Sequence, residues 1–290
     1  MAVSTRLADY WSLTKPEVNL LIGLTTAAGF CLGRPHGLDG FPFARLVHAV
    51  AGTLLVASGT GTLNQVVERR FDALMRRTAK RPVAAGRIEP SHALAFGILL
   101  STTGAIYLAA AVNVLSSALA LITMVSYLLV YTPLKRKTPF CTAIGALPGA
   151  APPLIGWAAS TGSLSLEAWM LYALVFLWQF PHVMAIAWMY REDYDRAGCK
   201  VLPRGPCSAS LTVCQAMGPL LLLVALSVTP VFLGQAGLVY LASAVVLGAV
   251  FVYRADQWAV HRSNAMARRL LLASIVYLPL LLTVMLIDRT

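Results

Sequence analysis

Nine stretches of this chain are apolar over lengths suited to a lipid bilayer: about 18–33, 44–64, 91–111, 114–133, 141–160, 168–190, 210–233, 236–253 and 269–287. Crossing the hydrocarbon core takes about 20 apolar residues. In lipid the backbone must satisfy its own hydrogen bonds, so spans of this length are expected to be helices. Only 12% of the 290 residues are charged, and a soluble domain would carry roughly twice that share. The expected fold class is therefore an all-α polytopic membrane protein. No linker or low-complexity tract divides the chain, so residues 1–290 are read as one domain. The opening MAVSTRLADYWSLTKPE is too polar for the apolar core of a cleavable signal, and reads as a short amphipathic lead-in at the interface.

A net charge of +11 would suit nucleic acid, but its distribution excludes that reading. With the N-terminus in the cytoplasm and nine crossings, 20 of the 23 bases fall in inside segments, among them Lys135, Arg136 and Lys137 and the seven from Arg69 to Arg87. Arg34, Arg45 and Arg289 remain outside. This bias is the positive-inside rule, and it predicts an N-in, C-out topology. The five cysteines form no CxxC pair and have no histidine at ligand spacing, so they read as small membrane-compatible residues.

The acids are more informative. Six of the twelve lie in two segments on the same predicted side: Glu68, Asp72 and Glu89 after the second span, and Glu192, Asp193 and Asp195 after the sixth. The separation of four spans suggests two related halves. Asn64, Glu68 and Asp72 recur at i, i+4 and i+8 and so share one helix face. Three oxygen donors there suit a hard cation such as Mg²⁺, which takes one or two carboxylates and fills its shell with water and phosphate oxygens. Arg77 and Arg81, again four apart, suit phosphate, because guanidinium presents a planar fork to its oxygens. A solvated juxtamembrane helix with i,i+4 ion pairs is the plainer alternative. REDYDRAGCKVLP repeats the recipe on the same face, which favours a metal-bound diphosphate whose tail lies in lipid.

Asn64 to Pro82, as N-x-x-x-E-x-x-x-D-x-x-M-x-R-T-x-x-R-P, resembles the first signature of the UbiA superfamily of intramembrane prenyltransferases. LTKPEVNLL (13–21), YTPLKRKTPFCTAIGALPGAAPPLIGWAA (131–159), WQFPHVMAIAWMYREDYDRAG (178–198) and CKVLP (199–203) narrow the resemblance to the haem-prenylating branch. The resemblance implies nine helices around a central cavity. It implies transfer of farnesyl from farnesyl diphosphate to the 2-vinyl group of haem B, with addition of water, giving haem O and diphosphate. It also implies Mg²⁺ as cofactor, membrane lipid as surroundings, and a haem A synthase or terminal oxidase assembly as a possible recipient. Asn64, Glu68, Asp72 and Asp193 match the metal–diphosphate motifs, and Arg77 and Arg81 match the basic pair. Many superfamily members carry D-x-x-x-D in the second loop; aligned on Gly198, those positions are Tyr190 and Tyr194 here, with Asp193 displaced by one. That departure leaves the second metal's ligand set open.

Further expectations concern the substrates. Lys137 is a candidate to steady the leaving diphosphate. Tyr127, Tyr131, Trp178 and Phe180 are candidates to face an allylic cation, with interface belt or ordinary packing as the alternative. Tyr131 and Tyr194 are read as substrate-binding. His182, inside a span beside Pro181, is read as a haem contact, since imidazole is a common axial ligand and the resemblance places a histidine there. His48 reads as packing, and His36, His92 and His261 as solvated. Gly145 and Gly149, in GALPGAAPPLIGWAA, predict close helix approach. The absence of charge within the spans disfavours a transporter, whose sites lie at the bilayer midplane. A non-catalytic haem-binding protein would not need the first loop. A quinone-precursor or chlorin acceptor is the nearer alternative. With no Arg- and Ser-rich transit segment, the expected home is a prokaryotic plasma membrane, with the diphosphate site on its cytoplasmic face.

Overall fold

The structure, a computed structural model, describes residues 2–34, 40–203 and 205–289, with side chains from residue 6 onward. His36, read above as solvated, and Arg204, one of the 20 bases placed inside, lie outside the described residues. The described residues contain helices and no strand.

The chain begins with α1 (Ala2–Leu13), the expected lead-in, which leaves Leu7 and Trp11 exposed, one turn apart. Next come α2 (Pro16–Leu32), α3 (Phe43–Asp72), α4 (Pro90–Ala111) and α5 (Val114–Val125). α5 continues through a π-helical turn, Ser126–Tyr131, into the short α6 (Thr132–Leu134). α7 (Cys141–Gly149) and α8 (Ala151–Thr161) divide the proline-rich window between them. α9 (Leu166–Met189) leads into α10 (Arg191–Arg196), which carries the second acidic loop. α11 (Ser208–Ser227) with α12 (Thr229–Phe232), then α13 (Leu238–His261) and α14 (Asn264–Ile287), complete the bundle.

Seven of these segments are long and apolar enough to cross a membrane: Phe43–Asp72, Pro90–Ala111, Val114–Leu134, Leu166–Met189, Ser208–Phe232, Leu238–His261 and Asn264–Ile287. The two other predicted windows hold α2, with 17 residues, and the α7–α8 pair, broken at Ala150. The helix ends follow local chemistry. Proline at the first turn suits α2 and α4, because the missing N–H has no helical partner there. Asn113 accepts from Ser116 N at 2.8 Å and caps α5, while Ser263 accepts from Met266 N at 3.2 Å and caps α14.

The largest apolar core joins α9, α11, α13 and α14 with α2 and α8. The tightest crossing lies between α2 and α8. A methyl on Gly156 would meet the Thr26 carbonyl, and one on Gly29 the Pro153 carbonyl. The glycines expected to bring helices together do so against side chains: Gly145 makes room for the Tyr131 ring of the π-helical turn, and Gly149 for the Gln179 side chain of α9. Gln179 Nε2 in turn donates to the Ala146 carbonyl at 3.1 Å, which also accepts from Ala150 N at 3.0 Å. The C-terminus closes the ring. Asp288 Oδ2 accepts from Tyr240 N at 2.6 Å, and Arg289 Nη1 donates to the Cys31 carbonyl at 3.1 Å.

Backbone cannot yield where a flexible side chain can. Gly156→Ala is therefore expected to cost about 1–3 kcal/mol, the usual penalty of overpacking. Gly149→Ala, which meets only the end of Gln179, is expected to cost less. Apparent Tm values of the two purified variants, compared with the parent, check the order.

Candidate active site

The site is built at the C-terminal end of α3. That helix runs past its apolar window, so Asn64, Glu68 and Asp72 stay helical and share a face, with Asn64 and Asp72 buried. Asn64 Nδ2 donates to Glu68 Oε2 at 3.0 Å and to Thr132 Oγ1 at 3.3 Å. These donations leave the Asn64 amide oxygen directed to a cation, since Lys15 Nζ donates to it at 3.0 Å.

Each of the three oxygen groups meets its own base. Lys135 Nζ lies 2.6 Å from Glu68 Oε1 and 2.7 Å from Oε2. Arg81 Nη1 spans both Asp72 oxygens, at 2.9 and 2.8 Å. Two of these bases were not singled out in the sequence. Lys15 reaches the site because the junction of α1 and α2 is tied down. Gln65 Nε2 donates to the Leu13 carbonyl at 3.2 Å, and Asn19 Nδ2 to the Thr14 carbonyl at 2.9 Å. Lys15 itself sits at φ 53°, ψ 61°, left-handed backbone that a lysine rarely adopts. Lys135 follows the π-helical turn, and its ammonium lies 5.0 Å from the Tyr131 ring centroid. π turns are rare and favour functional sites. Lys137, the expected base of this segment, is exposed. The difference is one of helical register: Lys135 stands four residues from Tyr131, and Lys137 does not.

Burial first, and then the nearby charges of Arg81 and Lys135, push the Lys15 ammonium down to about 7. Lys135 and Arg81 balance the two carboxylates, so the cluster's surplus of positive charge is the proton that Lys15 carries.

The two acidic loops meet. Arg77 N donates to Asp193 Oδ2 at 3.1 Å, and Arg196 pairs with Asp193 Oδ1. Arg77 and Arg81 diverge rather than fork together. The Arg77 guanidinium lies 4.7 Å from the Tyr190 ring centroid and 5.7 Å from that of Tyr194, and Nη2 donates to Tyr194 Oη at 3.2 Å. Tyr194 and Tyr131 pack into one apolar cluster with Met75, Cys141 and Cys199. Tyr127 and Tyr131 lie with ring centroids 5.1 Å apart. Glu89 and Glu192 are exposed and stand apart from the cluster, and Asp195 lines a cavity of about 360 Å³ between α10 and α11.

His182, Trp178 and Phe180 do not join this cluster. His182 Nδ1 lies 2.8 Å from Ser274 Oγ on α14, and its ring stacks on Trp178 at 4.7 Å. Phe180 meets Phe176 edge to face at 5.3 Å. Because Ser274 Oγ donates its own proton to the Leu271 carbonyl at 2.6 Å, it accepts from His182, which fixes the proton on Nδ1 and leaves Nε2 with its lone pair. His48, read as packing, pairs with Tyr107 Oη at 2.6 Å between α3 and α4.

The donor chemistry fits a hard divalent cation: two carboxylates and an amide oxygen on one face, with room in the shell for phosphate and water. Among the described residues, no group of three or more His, Cys, Asp or Glu is gathered to hold a metal. Asp193 is instead engaged by Arg77 N and Arg196.

The sequence profile of the UbiA prenyltransferase family matches residues 22–278. The chain belongs to that family. A protoheme IX farnesyltransferase of Solibacter usitatus is 44% identical over 289 residues, covering 98% of this chain and 99% of its own. One from Koribacter versatilis is 42% identical, covering 99% and 95%. Among solved structures, a digeranylgeranylglyceryl phosphate synthase superposes with a TM-score of 0.77 at 16% identity over 98% of both chains. A UbiA homologue from Archaeoglobus fulgidus bound to GPP and Mg²⁺ gives 0.62 at 18% identity over 96% of this chain and 99% of its own. These two likenesses place the chain in the UbiA fold.

Lys135→Met removes the partner of a largely buried carboxylate, Glu68. It is expected to cost about 1–3 kcal/mol of stability, while Lys137→Met leaves stability unchanged. Thermal unfolding of both variants distinguishes the two lysines.

Proposed function

We propose that this UbiA-family protein transfers the farnesyl group of farnesyl diphosphate to the 2-vinyl group of haem B, with addition of water, giving haem O and diphosphate. Near-full-length identity of 37–44% to proteins that share the name protoheme IX farnesyltransferase carries this reading. The charge cluster on α3 supports it, since haem binding alone needs no diphosphate site. In the same reading the chain crosses a prokaryotic plasma membrane nine times, N-in and C-out, with Lys15, Asn64 and Asp193 at the cytoplasmic face. Haem O would then be released toward a haem A synthase or terminal oxidase assembly.

Asn64, Glu68 and Asp72 would hold Mg²⁺. When bound, that ion supplies charge to the departing diphosphate. Around it the protein's own cations are already placed. Lys15, Lys135 and Arg81 exchange an amide or carboxylate oxygen for a phosphate oxygen, and Arg77 adds a fourth positive charge. Such pre-set charge costs no reorganisation as the allylic C–O bond breaks. Tyr131 and Tyr127 offer ring faces to the developing cation, and Thr132 and Asn64 hold the inner end of the site. His182 serves the haem. With its proton held on Nδ1 by Ser274, Nε2 is free of hydrogen and suited to iron.

Mass spectrometry of haem incubated with the protein in lipid, farnesyl diphosphate and Mg²⁺ tests the reading. A haem carrying farnesyl plus water is expected, and EDTA should abolish it. Asp72→Ala is expected to lower turnover by at least about 100-fold with haem binding kept. His182→Ala is expected to weaken haem binding while diphosphate binding survives. Haem that stays unmodified, with diphosphate released only when a quinone precursor is added, would move the acceptor to another class.

The lowered Lys15 value adds a proton count. A group near 7 is largely neutral at pH 8, and an adjacent diphosphate raises its pKa. At pH 8, binding of Mg²⁺–diphosphate should therefore take up as much as about one more proton per chain in the parent than in Lys15→Met. Calorimetry in buffers of differing ionisation enthalpy measures the difference.

A further inference from the structure

The second acidic loop spends its one buried carboxylate on architecture. Asp193 Oδ2 accepts the Arg77 backbone N–H at 3.1 Å, and Oδ1 pairs with Arg196. The loop's other acids, Glu192 and Asp195, are exposed, and Asp195 lines the cavity against α11. What the loop does present toward the first motif is a pair of phenol rings, Tyr190 and Tyr194, around the Arg77 guanidinium.

The partner of a guanidinium decides what it can still do. Arg81 is held by both oxygens of Asp72, so its charge is largely neutralised. Arg77 is held by two ring faces and by one hydrogen bond to Tyr194 Oη at 3.2 Å. Aromatic faces attract a cation without cancelling its charge. Arg77, exposed beyond the α3 motif, is thus held by groups that leave its charge uncancelled. Its height along the chain is set by Asp193 through the backbone, and its direction by the two tyrosines.

We propose that Tyr190 and Tyr194 position Arg77 as a fixed cation against the diphosphate, so that the site takes one divalent cation, at Asn64, Glu68 and Asp72, and a guanidinium in place of a second. The proposal rests on the prenyl-diphosphate reading above. It gives the Asp-to-Tyr departure in this loop a chemical purpose: two carboxylates would bind a second cation, whereas two rings hold one the protein already owns. Tyr190 and Tyr194 are positioning residues, acting through Arg77.

The test uses the full chain in lipid nanodiscs with Mn²⁺ and farnesyl thiodiphosphate, whose bridging sulfur slows departure. Electron paramagnetic resonance counts bound Mn²⁺, and displacement of labelled analogue gives affinity. One Mn²⁺ per chain is expected, kept in Tyr194→Leu and lost in Asp72→Asn. Tyr190→Leu and Tyr194→Leu should each weaken the analogue about tenfold. Tyr194→Phe, which keeps the ring, should stay within about twofold of the parent. On an Arg77→Leu background, Tyr194→Leu should add nothing, a result that general loosening of the loop would not give. Should Tyr190→Leu fail to fold, the Leu and Phe variants at Tyr194 decide. Two Mn²⁺ per chain, or parental analogue affinity in folded Tyr194→Leu, overturns the proposal and leaves the prenyl-diphosphate reading standing. Absence of both Mn²⁺ and analogue binding in the parent overturns both.

Discussion

Charge at the end of a lipid-embedded bundle has to be matched group by group, because an unpaired buried ion costs far more than any single contact returns. Asn64, Glu68 and Asp72 lie on a helix that enters apolar surroundings, with Asn64 and Asp72 buried. Each therefore needs a donor from elsewhere, and the fold is arranged to bring one. Lys15 arrives from the junction ahead of α2, Lys135 from the end of the π-helical turn, and Arg81 from the loop after α3. Three segments distant in sequence are thereby tied to one helix face. The left-handed backbone at Lys15 and the wide turn before Lys135 are local departures that place those two ammonium groups. The first is the kind of strain that surrounding structure must hold in place.

The windows for the spans were legible because bilayer thickness imposes a length that composition alone reveals. So was the first motif, since i, i+4 and i+8 define a face whatever the tertiary structure. The bases were harder. Arg77 and Arg81 share a spacing and yet diverge, one to Tyr190 and Tyr194 and one to Asp72, because the loop after α3 is not a regular helix. Lys15 stood in the segment LTKPEVNLL beside Glu17, and its partner in the fold, Asn64, is 49 residues away. Lys135 and Lys137 looked equivalent until the register from Tyr131 separated them, and that i,i+4 relation was available from the sequence. Tyr190 was readable as a departure in the second loop, but not as a ring beneath Arg77. Proline content marked the break between α7 and α8, though not that Gly29 and Gly156 make the close crossing and that Gly145 and Gly149 receive side chains.

The two substrates of the proposed reaction set different demands, and the structure keeps their residues apart. Diphosphate needs positive charge, which lies where α3, α6 and the loops converge. Haem needs an apolar wall and a ligand of defined protonation. In the proposed reading those would be supplied between α9 and α14, where Trp178 Nε1 donates to the Ser274 carbonyl at 2.7 Å and stacks on His182. Ser274 is engaged from both sides, by an indole through its carbonyl and an imidazole through its hydroxyl. That double use fixes ring orientation and tautomer together.

Charge balance links the cluster to its ligand. Lys15, Lys135 and Arg81 meet only two carboxylates, Glu68 and Asp72, and Arg77 stands by on Tyr190 and Tyr194, because Asp193 is taken by Arg196 and a backbone N–H. A prenyl diphosphate with one divalent cation brings a small net negative charge, which a surplus of this size can match. A second divalent cation would make the incoming complex positive and oppose the same surplus. On the proposed reading, the protein's own bases would set a limit on how many metal ions the site can accept. Replacing Tyr190 and Tyr194 by carboxylates would change that limit by neutralising Arg77, without touching Asn64, Glu68 or Asp72.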